Sequence, residues 1–315
     1  MTKPFTWKHK QKLLIIDGRN LLWRTTDAFR DLHVKKKNGV VATGGVYGFL
    51  STLIKTWDRY GGKVVVAWEG KNNFRYKLFP GYKARGEPSE EMANLLQVID
   101  DQQARVQAIL RRAGVEQYKG DGCEADDVMG RLAYLWTQTR ASTGQAIIYT
   151  GDSDLRQCVT AYTWVVSPQR KASEVVYGVE DVHKKDGVYP PNVPDLKALA
   201  GDTSDKIPGL PGVGPVTAIK LVTTFGTVEE IIAAAKKKST WKGQNERFRT
   251  LVKENKKALR LYKKLTTIKV KSRYTEIETK PSRRKVRQHL MYYNIHSLII
   301  PTELQKIMTM GTDDQ

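Results

Sequence analysis

Apolar positions along the chain recur with two different periods, and their alternation predicts the order of elements. The run "LLII" at 13–16 is short and continuous, as in a buried strand, and Asp17 closes its C-terminal end. From about Val46 the period lengthens. Phe49, Leu50, Leu53, Ile54 and Trp57 fall three and four apart, which predicts a helix with Trp57 on its packed face. "KVVVAW" (63–68) reads as a second strand, followed by Glu69. A helix over 89–112 would bury Leu95, Ile99, Val106, Ile109 and Leu110, and "VEQY" is a short strand after it. Residues 125–139 form another helix on Val128, Leu132 and Leu135. "QAIIYTGDSD" supplies the next strand, with Asp152 and Asp154 just past it, and "WVVSP" and "SEVVYG" follow as short extended segments. Strands alternating with helices predict an α/β fold whose central, mostly parallel sheet is flanked by helices. In such sheets ligands bind outside the carboxyl ends of the strands.

The pattern changes near residue 194. "PDLKALAGDTSDKIPGLPGVGPVTAIKLVTTFG" is helical at both sides and rich in Gly and Pro in its middle. The expected division is an α/β core over 1–190, with a clamp or arch at about 71–112, and a helical region over 191–315. Charge follows the same division. The 315 residues carry 53 Lys and Arg against 33 Asp and Glu, a net charge of +20. Residues 231–290 alone hold 20 basic and 4 acidic side chains. A surplus of this kind suits a polyanion, and duplex DNA is expected to dock along this basic third. No apolar run approaches the roughly 18 residues of a spanning helix, and the N-terminus lacks the apolar stretch of a signal peptide. Two cysteines, Cys123 and Cys158, supply neither a disulfide framework nor a Cys-rich zinc site, so a reducing cytoplasmic setting is expected.

Acids are scarce, yet "GCEADD" places Glu124, Asp126 and Asp127 within four positions. Any one acid is explained as a helix cap or a turn residue. Capping does not predict three together, nor acids after successive strands: Asp17, Glu69, then Asp152 with Asp154. Asp202 and Asp205, three apart, are expected on one face of a helical turn. Like charges this close need a cation among them. An all-oxygen donor set selects a hard divalent ion such as Mg²⁺ or Mn²⁺, and a set this large suits two.

Two further stretches suit phosphates. "FRYKLFPGYKAR" interleaves Arg75, Lys77, Lys83 and Arg85 with Phe74, Tyr76, Phe79 and Tyr82, a composition that fits a single-stranded or frayed end. "IPGLPGVGPVTA" places Gly209, Gly212 and Gly214 between two helices, where backbone N–H groups can approach a phosphate, with Lys220 on the helix that follows. Such a pair of helices would grip duplex backbone without reading bases.

Together "LLIIDGRN", "FRYKLFPGYKAR", "GCEADDVMG", "YTGDSDLRQ" and "LKALAGDTSDKIPGLPGVGPVTAIKLVTTFG" resemble the 5′-nuclease family, that is, flap endonucleases and 5′→3′ exonucleases of bacteriophage and bacterial type. The resemblance covers roughly residues 12–226. It implies a PIN-like nuclease core, a helix–two-turn–helix element that often coordinates K⁺, and two divalent ions held by Asp17, Glu69, Glu124, Asp126, Asp127, Asp152, Asp154, Asp202 and Asp205. Glu69 stands where the family usually has Asp. Lys83, with Arg85 or Arg75 as its partner, resembles the basic pair at the scissile phosphate, acting beside Asp17, Asp126 and Asp152. Arg75, Lys77, Gly209, Gly212, Gly214 and Lys220 would contact DNA. The implied activity is metal-dependent hydrolysis near 5′ ends, nicks or flaps, leaving a 5′-phosphate, by a monomer serving replication or repair. RNA–DNA hybrids are a further substrate. Two alternatives stand beside it: a non-catalytic replication accessory protein that binds DNA structures, and a related metal-dependent ribonuclease.

Overall fold

The computed structural model describes residues 11–310 except Asn38, Arg85, 140–143, 170–172 and 242–244. Arg85, expected beside Lys83, therefore lies outside the described residues. A mixed sheet of seven strands forms the centre, in the order β8-β7-β6-β1-β4-β5-β9. Its strands are β1 (Gln11–Asp17), β4 (Lys63–Lys71), β5 (Glu116–Asp121), β6 (Gly144–Tyr149), β7 (Thr163–Pro168), β8 (Glu174–Tyr177) and β9 (Arg273–Ile277); β2 (His33–Lys36) and β3 (Gly39–Ala42) form a separate hairpin. The helices of the core are α1 (Gly18–Ala28), α2 (Gly44–Tyr60), α3 (Phe74–Leu78), α4 (Glu90–Ala113), α5 (Ala125–Thr139) and α6 (Val179–Asp186). Beyond them come α7 (Val193–Ala200), α8 (Pro215–Phe225), α9 (Val228–Lys236), α10 (Glu246–Glu254), α11 (Lys256–Thr266), α12 (Arg283–Tyr292) and α13 (Pro301–Thr309).

Strand alternation divides the core. Leu13 and Ile15 of β1 join Val65, Ala67, Ala146 and Ile148 beneath α5 and the helices α7–α11. Leu14 and Ile16 point the other way, with Val64, Val66 and Trp68, into a second core closed by α1, α2, α4, α12 and α13. Trp57 packs in that second core, as its helical spacing predicts. None of the described helices is long and apolar enough to cross a membrane.

Strands β4, β1, β6 and β7 run parallel, and β1 is paired on both sides. From β1 the chain builds outward through β4 and β5, then returns to start β6 on the opposite flank. The reversal makes the carboxyl end of β1 a topological switch point, where α/β sheets open a crevice. Several elements escape the periodicity, among them α1, whose sequence carries polar residues between its few apolar ones, the short helices α3 and α6, the hairpin β2–β3, and the antiparallel edge strand β9.

Candidate active site

Sheet register sets the first row of carboxylates. Asp17 lies beside Ala67, and Glu69 and Asp152 follow within a few residues of that register, so the three acids stand at the carboxyl ends of neighbouring strands. Asp17 is also the N-cap of α1, accepting from Asn20 N at 3.0 Å and from Thr150 Oγ1 at 2.7 Å. Asp152 caps the turn after β6 by accepting from Asp154 N at 2.8 Å. Capping and chemistry thus share side chains. Each cap fixes a rotamer, and both carboxylates line the crevice. The entry to α5 brings Glu124 and Asp126 to the same place. The resulting cavity of about 260 Å³ is lined by Asp17, Glu69, Glu124, Asp126 and Asp152, with Lys83 and the rim residues Arg19, Asn20 and Arg24. A larger cavity of about 620 Å³, walled by Tyr134, Cys158 and Tyr162, contains no acid among its lining residues, so size alone does not mark the site.

A second group adjoins the first. Asp154, Asp202 and Asp205 present carboxylate oxygens within 4.8 Å of one another, a spacing that can hold a metal ion. The segment 202–205 is a turn rather than the helical turn expected from sequence. Asp202 Oδ1 accepts from Ser204 N at 2.8 Å and Asp205 N at 3.3 Å, a side-chain closure that competes with helix. Tyr82 joins the two groups, its hydroxyl lying 3.0 Å from Glu124 and 2.9 Å from Asp205. Lys83 reaches Glu124 Oε1 at 2.6 Å and Asp205 Oδ1 at 3.6 Å. It holds this position from a left-handed backbone, φ 48°, with its N–H donated to Asp205 O. Strain at a non-glycine residue persists where surroundings enforce it.

Three expected roles change. Asp127 does not face the cavity. It is fully buried, pairs with Arg75 through both oxygens at 2.6 and 3.0 Å, and accepts from Glu124 N and Lys269 N. Four donors leave it no edge for a metal. Arg75, expected to touch DNA, is 2% exposed and also donates to Leu265 O and Thr267 O. It is a structural cation. Gly209 changes too: it is buried at φ +68°, and a Cβ there would meet Gly201 N at 2.3 Å, so this glycine closes the loop onto the end of α7. Gly212, Gly214, Lys77 and Lys220 lie on the surface. Among the interleaved aromatics, Tyr76 stays half exposed, whereas Tyr82 is buried on the carboxylates and Phe79 packs on Tyr262.

Sequence reasoning missed Tyr82 as an acid bridge, Thr150, and Lys197. Lys197 pairs with Asp154 and, at 2.7 Å, with Asp202. Its position in the last turn of α7 is an ordinary place for lysine, so nothing local marked it.

The electrostatics separate the groups. Burial raises Asp17 to about 6, and burial with Glu124 nearby raises Glu69 to about 7 although its side chain reaches solvent. Asp126 is pushed well above the usual carboxylate range by burial and by Asp152, Asp17 and Glu124. Burial would also raise Asp202, but Lys197 and Ser204 outweigh it and bring the carboxyl to about 2. Lys83 therefore does not offset the burial and repulsion felt by Asp17, Glu69 and Asp126, and an oxygen-only donor set of this kind fits hard divalent cations. A consequence for stability follows. Raised folded-state values mean that protonation of these groups favours the fold; that contribution is full below the ordinary carboxylate values and is lost as pH rises through about 6 to 7. Mg²⁺ should thus raise the melting temperature strongly at about pH 8 and weakly at about pH 5. Equal shifts at both pH values in thermal melts would contradict the cation-deficient cavity.

Comparison with known proteins agrees with this geometry. A family model described as the N-terminal resolvase-like domain of 5′-3′ exonuclease matches residues 12–187, and one described as the C-terminal SAM fold of 5′-3′ exonuclease matches residues 188–289. The 5′-3′ exonuclease of Aquifex aeolicus is 31% identical over 305 residues, covering 95% of this chain and 97% of that protein. DNA polymerase I of Bacillus subtilis is 35% identical over 231 residues, 71% of this chain but 24% of the polymerase. The chain thus spans about a quarter of the length of its polymerase I relatives. Among solved structures, T5 5′-exonuclease with bound zinc superposes with a TM-score of 0.67 at 18% identity, over 96% of this chain and 100% of that one. The catalytic core of Rad2 in complex with DNA substrate gives 0.56 at 18% identity, over 93% of each chain. The fold is shared with these structures, and the matches along both halves of the sequence show that the chain belongs to the 5′-3′ exonuclease family.

Proposed function

We propose that the chain hydrolyses DNA phosphodiesters near 5′ ends, nicks or flaps, as a 5′→3′ exonuclease and flap endonuclease, leaving a 5′-phosphate. The observation that carries this reading is the convergence of eight carboxylates and Lys83 at the switch point of the sheet. Asp17, Glu69, Glu124, Asp126 and Asp152 would hold one divalent ion, Mg²⁺ or Mn²⁺, and Asp154, Asp202 and Asp205 would hold a second. Such ions would supply Lewis-acid polarisation of the phosphodiester and activation of the attacking water. The protein's own part is to position and to screen. Lys83 Nζ, tethered by Glu124, faces the cavity where negative charge on the phosphoryl oxygens grows. Arg19 and Arg24 at the rim can orient the flanking phosphates. Among the described residues no histidine, serine or cysteine lines the cavity, which favours water as the nucleophile.

Duplex DNA would lie along the exposed Gly212, Gly214 and Lys220 of the α7–α8 loop and helix, where K⁺ would bind, with Lys77 toward the displaced strand. The core at 1–190 and the helical region 191–315 would each supply carboxylates. Substrates would include RNA–DNA hybrids, and the working form would be a monomer in replication or repair.

The test is cleavage of end-labelled nicked, flapped and blunt duplexes in Mg²⁺ and in EDTA. The nicked and flapped forms should be cut in Mg²⁺ only, with a 5′-phosphate on the product. Tight binding of every form with no cutting would establish the accessory-protein alternative instead. In the same assay Lys83→Met should slow cleavage by about 100-fold, the scale of losing one preorganised donor, with DNA affinity little changed. A loss confined to affinity would make Lys83 a binding residue only.

A further inference from the structure

The basic C-terminal third does not form one surface. Strand β9 pairs antiparallel with β5, Arg273 beside Asp121 and Ile277 beside Gln117. The chain therefore travels from the carboxylate edge of the sheet to the opposite edge along β9. There Lys280 N bonds Arg111 O and Ser282 N bonds Arg112 O, at the end of α4, and Met310 O accepts from Val64 N at the start of β4. Helices α12 and α13 consequently sit at the strand-start edge. One strand length of about 20 Å separates them from the carboxylates.

Between these two helices lies a groove of about 480 Å³, lined by Arg283, Arg284, Arg287, Ile299, Pro301 and Leu304. Arg287 lies three residues after Arg284 and four after Arg283 on α12, within reach of both, and all three are exposed. Among the described residues none has a carboxylate within salt-bridge distance; Arg283 meets only the neutral Gln305 Oε1, at 3.2 Å. Arg283 and Arg284 occupy the first turn of α12, which has no acidic residue. Cations there oppose the helix dipole and repel one another, a cost that no acidic side chain among the described residues offsets. Beneath the charges the floor is apolar, with Leu304 buried and Ile300 half exposed beside it. No aromatic ring lines the groove, so it lacks the stacking platforms with which proteins take single strands. Forked guanidinium donors around an apolar floor match carboxylates flanking an aliphatic side chain.

We infer that the α12–α13 groove is a docking site for an acidic peptide of a partner protein, one whose carboxylates flank an apolar anchor. This site is independent of the carboxylate cavity: a partner seated on it leaves the carboxylate edge open to DNA.

A fluorescein-labelled peptide of alternating aspartate and leucine, titrated against the full chain by fluorescence anisotropy, should bind saturably. Replacing its aspartates by asparagine, or its leucines by serine, should abolish binding. Arg284→Ala with Arg287→Ala should weaken it at least about tenfold, the scale of losing charge-assisted hydrogen bonds. The same variant should cut flapped DNA at the parental rate, which also shows that it folds. Three results overturn the proposal. The first is no saturable binding, or binding indifferent to the arginine changes. The second is a single-stranded oligonucleotide that binds the parent more tightly than the peptide and loses affinity in the variant. The third is sedimentation of the parent as a dimer that the variant dissolves, which would assign the groove to a second copy of the chain.

Discussion

Asp126→Asn should bind flapped DNA as well as the parent and cut it more than about a thousandfold more slowly. Asp126 lines the cavity and accepts no hydrogen bond among the described residues, so the fold does not depend on its charge. It sits instead among Asp152, Asp17 and Glu124, which push its carboxyl well above the usual range once burial is counted. Neutralising it removes repulsion. Without metal the variant should therefore melt at or above the parental temperature, and Mg²⁺ should stabilise it less. Asp152→Asn should behave alike in cleavage, but it loses some of the cap on Asp154 N and should not gain stability. Parental cutting by Asp126→Asn would remove the carboxylate cavity from the chemistry. A drop in melting temperature would instead reveal a structural role.

Arg75→Met should cost about 3–5 kcal/mol of stability, the scale of breaking a buried ion pair from one side. The substitution strands a carboxylate that has no solvent exposure, and it removes donors from Leu265 O and Thr267 O. Asp127 also holds Glu124 N at 3.1 Å and Lys269 N at 2.8 Å. The pair therefore clamps three segments: the α3 turn, the entry to α5 and the chain after α11. Cleavage should fall as well, because Glu124 leaves its register with Lys83. Denaturant unfolding measures the first effect. Adding Asp127→Leu to Arg75→Met should recover much of the stability, since removing both charges is far cheaper than removing one. It should not restore the position of Glu124. A loss below about 1 kcal/mol for the single change would show that water reaches the pair.

The contrast between adjacent acids shows what local sequence can carry. Asp126 and Asp127 are chemically alike and follow one another, yet helical geometry turns consecutive side chains about 100° apart. One faces the cavity and the other faces Arg75. Which of them faces a cation site depends on what stands opposite each, and for Asp127 that is a guanidinium 52 positions away. Tyr82 is similar. In sequence it belongs to a run of aromatics and cations, but its hydroxyl meets Asp205, 123 positions on. Asp202 and Asp205 have helical spacing, but side-chain bonds to backbone N–H groups closed them into a turn.

The periods of apolar residues and the acids after the strands were legible in the chain by themselves. From them followed the α/β layering, the parallel centre of the sheet and the edge where Asp17, Glu69, Glu124, Asp126 and Asp152 gather, because side-chain direction in a strand or helix is set by backbone geometry within a few residues. Tertiary structure alone decided which carboxylates share a cavity, which one is consumed by Arg75, and that β9 carries Arg283, Arg284 and Arg287 to the far edge. Those outcomes rest on pairings between segments 190 residues apart and more, such as Arg75 with Leu265. A charge or hydrogen-bonding group has no preferred partner until packing of the two cores has selected one.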